Sequence, residues 1–380
     1  MAENRKKKKR WGERLLGISI VAVSILVGWH MGMRGVREPS GDADGGGLVR
    51  YLVMFVTLWG GLVLHILVHE AGHLVFGLRS GYRFVSYRVG SLALIKGKDG
   101  FRLKRYSIPG TAGQCLMEPP EPVDGKIPVM LYNFGGVLLE LPLCLLWLVL
   151  SIALRGTDAG ANFLLVLLIG LINVAANGIP LRMKMLNNDG RNALELSKNP
   201  GAMRAFWAQL KINGEETRGT RLKEMPQAWF RPAEGAVLSD PLVAGQEAFR
   251  AARLMDEHRF QEAKACIDKL LSEESGLVGI NRLLLQCDRM YINWLNDVPS
   301  CWETEFGAPG FQKFLKKMGS SPTVLRLLYT HALLKEGNRK KAEKLRKQFE
   351  KRMAAYPYPG TITLERELME IALRKSEECV

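Results

Sequence analysis

The chain has 380 residues, 47% of them hydrophobic, with a formal net charge of +15 and a mean hydropathy near zero. The length suffices for a large core or for two domains. The charge does not point to nucleic acid, because the cations flank apolar runs or spread over helix faces, and no zinc finger or aromatic-basic RNA-binding motif accompanies them. Basic flanks on the cytoplasmic side of a membrane protein account for it more simply.

In chain order, Arg5-Lys-Lys-Lys-Lys-Arg10 precedes an apolar run over about 15–31. No small-x-small cleavage pattern follows it, so an uncleaved anchor is expected rather than a signal peptide. Residues 35–47 read as a flexible loop. Further apolar segments over about 51–78, 127–154 and 163–181 are each long enough to cross the hydrocarbon core. Four crossings satisfy the charge rule: the basic N-terminus, the basic segment 79–126 and everything after 181 lie inside, and the cation-poor loops 33–50 and 155–162 lie outside.

Between the second and third spans, strand-forming residues flank the turn Gly97-Lys-Asp-Gly100, which predicts a β-hairpin over 82–108. Its backbone could hold an extended substrate by strand addition. Pro109-Gly and Pro119-Pro-Glu-Pro are expected to break regular structure before the third span. Residues 198–240, interrupted by Pro200, Pro226 and Pro232, read as a polar linker with short helices. The remainder is helical. Ala251, Leu254, Phe260, Ala263 and Ile267 look like one degenerate tetratricopeptide repeat, and Leu333, Gly337, Ala342 and Phe349 like another, with a generic helical bundle as the alternative. The six cysteines include no Cys-x-x-Cys pair and imply neither a disulfide framework nor a cysteine zinc site; the four in the C-terminal half read as reduced cytoplasmic thiols.

The expected architecture is therefore an α-helical polytopic membrane protein of about four spans, with a small β-hairpin insertion and a cytoplasmic all-α C-terminal domain. Its parts are a basic N-terminus, first span and outer loop (1–50), a membrane core (51–200), a linker (201–240) and the tetratricopeptide-like domain (241–380). Both termini are expected in the cytoplasm.

The chemistry is concentrated in His69-Glu-Ala-Gly-His73, inside the second apolar segment. On a helix the two imidazoles lie one turn apart on one face and can hold a single Zn²⁺, with Glu70 beside them as a proton acceptor. Ionisable residues in an apolar span are costly and mark function. A catalytic zinc needs a third protein ligand, and the candidate is Asp189, followed by Gly190, whose freedom allows a tight backbone turn. Asp189 could equally cap the helix that begins there. His65, one turn before His69, is a rival ligand, although three successive turns are poorly arranged around a tetrahedral ion. Asn177 could orient substrate or water, or hydrogen-bond between spans. Glu140 is expected to pair with a polar neighbour inside the bundle.

These residues resemble the site-2 protease family of intramembrane metalloproteases. That family pairs His-Glu-x-x-His on one span with a distal Asn-x-x-Pro and Asp-Gly, here His69, Glu70, His73, Asn177, Pro180, Asp189 and Gly190. Asn133-Phe-Gly-Gly-Val-Leu-Leu-Glu140 is similar to its Gly-rich motif, with Glu140 where the family commonly has Asn. The interval from Pro180 to Asp189 is also longer than in the compact form. The resemblance covers about residues 50–200 and implies zinc-dependent hydrolysis of peptide bonds in or beside transmembrane segments. The substrate would be a transmembrane protein or membrane-bound peptide, and the C-terminal helices would meet a cytoplasmic protein partner. The alternative from another class is a membrane-anchored adaptor with a vestigial metal site, which zinc content would distinguish.

Overall fold

The computed structural model describes residues 46–106, 111–180, 188–272, 275–277, 279–297 and 302–378. Three helices carry the apolar half of the described chain: α1 (Gly46–Arg79), α2 (Val129–Ala153) and α3 (Asp158–Gly178). At 1.5 Å per residue even α3, the shortest, extends about 32 Å, against a hydrocarbon core of roughly 30 Å. All three are long and apolar enough to cross a membrane. Leu52, Phe55, Trp59, Leu145, Val149 and Ile152 are exposed along them, an apolar surface suited to lipid. The expected first span, 15–31, lies outside the described residues.

α1 and α2 cross at glycines. A Cβ on Gly72 would overlap the Gly135 carbonyl oxygen, and one on Gly136 would lie 2.5 Å from His69 Cε1. Side-chain-free positions thus let the α2 backbone press against the turn that carries the histidines. Thr157 caps α3, its hydroxyl accepting from the Gly160 N–H at 3.1 Å.

The insertion after α1 is larger than a hairpin. β1 (Arg83–Val89), β2 (Leu92–Gly97), β3 (Gly100–Arg105) and β4 (Gly113–Glu118) form one antiparallel sheet in the order β3-β2-β1-β4. The expected turn is present, with Gly97 opposite Gly100. The run that reads as a single first strand instead folds back at Gly90, whose φ of 58° a side chain would resist. β4, in a stretch expected to be irregular, pairs with β1 through Tyr87 opposite Cys115. That partner is distant in sequence, so no local pattern announces the strand. Cys115, Leu116 and Met117 are buried with Tyr82, Tyr132 and Leu210, which joins the sheet to α2 and to the helix at 200–218.

α4 (Asp189–Leu196) leads into α5 (Pro200–Arg218), a 19-residue helix within the stretch read as a linker. Asn199 caps α5, Pro200 opens it and Gly219 closes it in the left-handed region. Ala202, Trp207, Ala208 and Ile212 are buried along it, so tertiary packing holds the helix despite its polar composition. Its outer turns are tied to the end of β4: Lys211 Nζ lies 3.0 Å from Glu118 Oε1, and Arg218 donates to Glu118 Oε2 at 2.7 Å.

Two short 3-10 turns, Leu222–Glu224 and Gln227–Phe230, precede the helical region. It comprises α6 (Pro241–Asp256), α7 (Phe260–Leu271), α8 (Gly279–Leu295), α9 (Trp302–Gly307), α10 (Pro309–Lys317), α11 (Pro322–Leu334), α12 (Arg339–Met353) and α13 (Pro359–Glu378). Ala251, Leu254, Ala263 and Ile267 are buried between α6 and α7, and Leu333, Ala342 and Phe349 between α11 and α12. Gly337 turns the second pair with φ 60°. At the centre, buried Arg326 stacks on Tyr291, donates from Nε to Glu365 at 2.5 Å and pairs with Asp288. Such a charge is tolerable inside a core because it is paired. Thr361 of α13 donates to Glu216 of α5 at 2.9 Å, linking this region to the helix that braces β4.

Candidate metal centre

α1 sets His69 and His73 one turn apart, with their rings 4.9 Å apart and nearly perpendicular. Each ring is fixed through Nδ1. His73 donates to the Tyr132 carbonyl at 2.8 Å, and a carbonyl can only accept, so the proton sits on Nδ1. His69 Nδ1 lies 3.1 Å from Glu140 Oε2, a carboxylate that requires the same arrangement. Both Nε2 lone pairs are thereby directed to one place.

Asp189 completes that place. The helix cap is its neighbour: Asn188 Oδ1 accepts from the Arg191 N–H at 3.1 Å, while its amide donates to the carbonyls of Ala176 and Ile179 at 2.6 and 2.5 Å. Asn188 thus caps α4 and staples it to the end of α3, leaving the Asp189 carboxylate free to face α1. Gly190 serves close packing rather than a tight turn, since a Cβ there would overlap the Gly178 carbonyl oxygen. Burial works to raise the Asp189 carboxyl, but the two imidazoles beside it prevail and hold it below the usual carboxylate range.

Three ligand atoms converge. His69 Nε2 lies 3.1 Å from Asp189 Oδ2 and 3.2 Å from His73 Nε2, and His73 Nε2 lies 3.3 Å from Asp189 Oδ2. Two imidazole lone pairs aimed at each other repel unless a cation lies between them. A tetrahedral ion with bonds of about 2.0–2.1 Å separates its ligand atoms by about 3.3 Å. The triangle therefore has the size and donor chemistry to hold a metal ion, and it is the group of this kind among the described residues.

Glu70, buried, projects from the same turn and is covered by β4: a Cβ on Gly113 would lie 2.5 Å from its Oε1. His65 stands apart from the triangle, with Nδ1 3.1 Å from Glu140 Oε1. Asn177 is set one step back, its amide donating to Asn173 Oδ1 at 3.0 Å. Tyr132, Asn173 and Gly113 belong to the site, although the motifs did not mark them. Asn173 had a visible signal, as a second amide one turn from Asn177; Tyr132 acts through its backbone and left none. No family model, curated protein or solved structure matches this chain, so the chemistry of the site stands on its own geometry.

Proposed function

We propose that the chain is a zinc-dependent intramembrane endopeptidase of the site-2 protease kind. The observation that carries this reading is the triangle of His69 Nε2, His73 Nε2 and Asp189 Oδ2, with edges of 3.1–3.3 Å and Glu70 beside it, on helices suited to a membrane. Two imidazoles and one carboxylate are the donor set of catalytic zinc, with one position left open. Bound zinc would supply Lewis acidity, polarising the scissile carbonyl and making water easier to deprotonate.

Glu70 takes the proton from the attacking water as its oxygen bonds to the carbonyl carbon. It then delivers that proton to the amine nitrogen as the C–N bond breaks. His69, His73 and Asp189 would hold the ion through lone pairs already fixed in place before substrate arrives, so little reorganisation would accompany the reaction. The substrate is a transmembrane protein or membrane-bound peptide, unwound locally because a helix hides its carbonyls in hydrogen bonds. The sheet beside Glu70 offers extended backbone for such a segment. The helical region would receive a cytoplasmic protein partner.

Glu70→Gln tests the reading. The amide keeps the shape but accepts no proton, so peptide cleavage in reconstituted membranes should disappear, with about one zinc still bound per chain. Cleavage within about tenfold of the unaltered protein would assign the base elsewhere. Absence of zinc from the unaltered protein would remove the enzyme reading.

A further inference from the structure

Glu140 is fully buried in α2, and both of its oxygens are engaged. Oε2 faces His69 Nδ1 at 3.1 Å; Oε1 faces His65 Nδ1 at 3.1 Å and accepts from Asn173 Nδ2 at 2.7 Å. One carboxylate on the second described span thus gathers donors from the first and the third. We infer that Glu140 is a positioning residue for the metal site, holding the His69 ring with Nε2 directed at the ligand triangle, and that His65 and Asn173 hold Glu140 in turn.

A neutral imidazole has one N–H. Giving it to Glu140 leaves the other nitrogen a lone pair for metal and raises its basicity. A carboxylate is the strongest acceptor available for this, and buried charge is tolerated where several donors surround it. His65 obeys the same rule: with Nδ1 donating to Glu140, its Nε2 is a leftover acceptor. That atom is buried with no hydrogen-bond partner among the described residues, packed where a Cβ on Gly170 would lie 2.6 Å away. His65 is therefore a brace for the carboxylate. Asn173 is steadied similarly, since its side-chain oxygen accepts from Asn177 at 3.0 Å. The line Asn177, Asn173, Glu140, His69 runs through the bundle and ends at the ligand triangle. Tyr132 does the corresponding work for His73 with a backbone carbonyl.

The inference rests on the metal-binding part of the proposed function and not on peptide hydrolysis. Its test is zinc affinity of the full-length protein in detergent, measured by competition with a chromophoric chelator, together with the visible absorption of the cobalt-loaded protein. Glu140→Gln should weaken zinc binding by about 10–100-fold and shift the cobalt spectrum, with the melting temperature of the metal-free protein little changed. A carboxylate that only glued helices together would lower the melting temperature and leave affinity and spectrum alone. Affinity within twofold of the unaltered protein would overturn the inference while the enzyme reading stood. Should Glu140→Gln not fold, Asn173→Ala replaces it; it leaves His69 and Glu140 in place and should weaken zinc binding by a smaller factor, and unchanged affinity there would equally overturn the inference. If the unaltered protein binds no zinc, both readings fall together.

Discussion

At the residue scale the site depends on which atom each side chain leaves unoccupied. Asn188 takes the helix cap, so Asp189 has nothing to do but face the histidines. On the proposed reading Asp189→Ala removes one of the three candidate ligands and should abolish stoichiometric zinc binding. His65→Ala should keep about one zinc per chain at saturating metal, with only the affinity reduced. Metal analysis of the two purified variants checks this pair. The opposite result would make His65 the third ligand and leave Asp189 a first-turn carboxylate.

At the element scale β4 is one of the pieces that connect the site to the rest of the molecule. It lies over Glu70 at Gly113, accepts from the Tyr132 hydroxyl at the Cys115 carbonyl, and ends at Glu118, where Lys211 and Arg218 of α5 hold it. Gly113→Ala forces either the strand or Glu70 to move. A misplacement on the order of 1 Å costs about 100-fold in rate, so under the proposed hydrolysis cleavage should fall by that order with metal occupancy kept. Loss of zinc as well would show that the strand supports the ligand triangle, not only the base.

The junction of α5 with α13 predicts a pH response. Burial pushes the Glu216 carboxyl up to about 7, against the opposing hydrogen bond from Thr361. Between its ordinary value near 4.5 and about 7, the folded chain keeps a proton that the unfolded chain has released. Stability contributed here therefore falls as pH rises through that window and is level above it. Glu216→Gln is neutral throughout. It should melt a few degrees above the unaltered protein at pH 8 and together with it near pH 4.5, as followed by circular dichroism in detergent. Equal melting at both values would mean that Glu216 is already ionised in the folded state.

For the whole molecule, the arrangement of basic segments sets the orientation. If the basic segment 79–126 and the helical region lie inside, an impermeant thiol reagent should reach a cysteine placed at Thr157 from outside intact cells. A cysteine at Gly97 or Gly337 should react only after permeabilisation. Labelling of Gly337→Cys in intact cells would place the helical region on the outer side and open the candidate metal site to that compartment.

The sequence by itself determined the apolar helices, the pairing of His69 with His73 and the helix pairs around Ala251 and Ala342. Each of these follows from residues within a few turns of one another, where length, helical period and turn residues act locally. Tertiary structure alone decided that Asp189 joins the histidines, that Glu140 faces His69 rather than an unspecified neighbour, and that residues 113–118 are a strand over Glu70. It also made 200–218 a packed helix, through the burial of Trp207 and Ala208 against other elements. These outcomes depend on side chains meeting across long stretches of chain, where backbone register and close glycine contacts choose the partner. A carboxylate after the last apolar helix is in sequence only a candidate. The crossing of α1 and α2 at Gly72 and Gly135, and the Asn188 staple to α3, are what bring it within 3.1 Å of His69 Nε2.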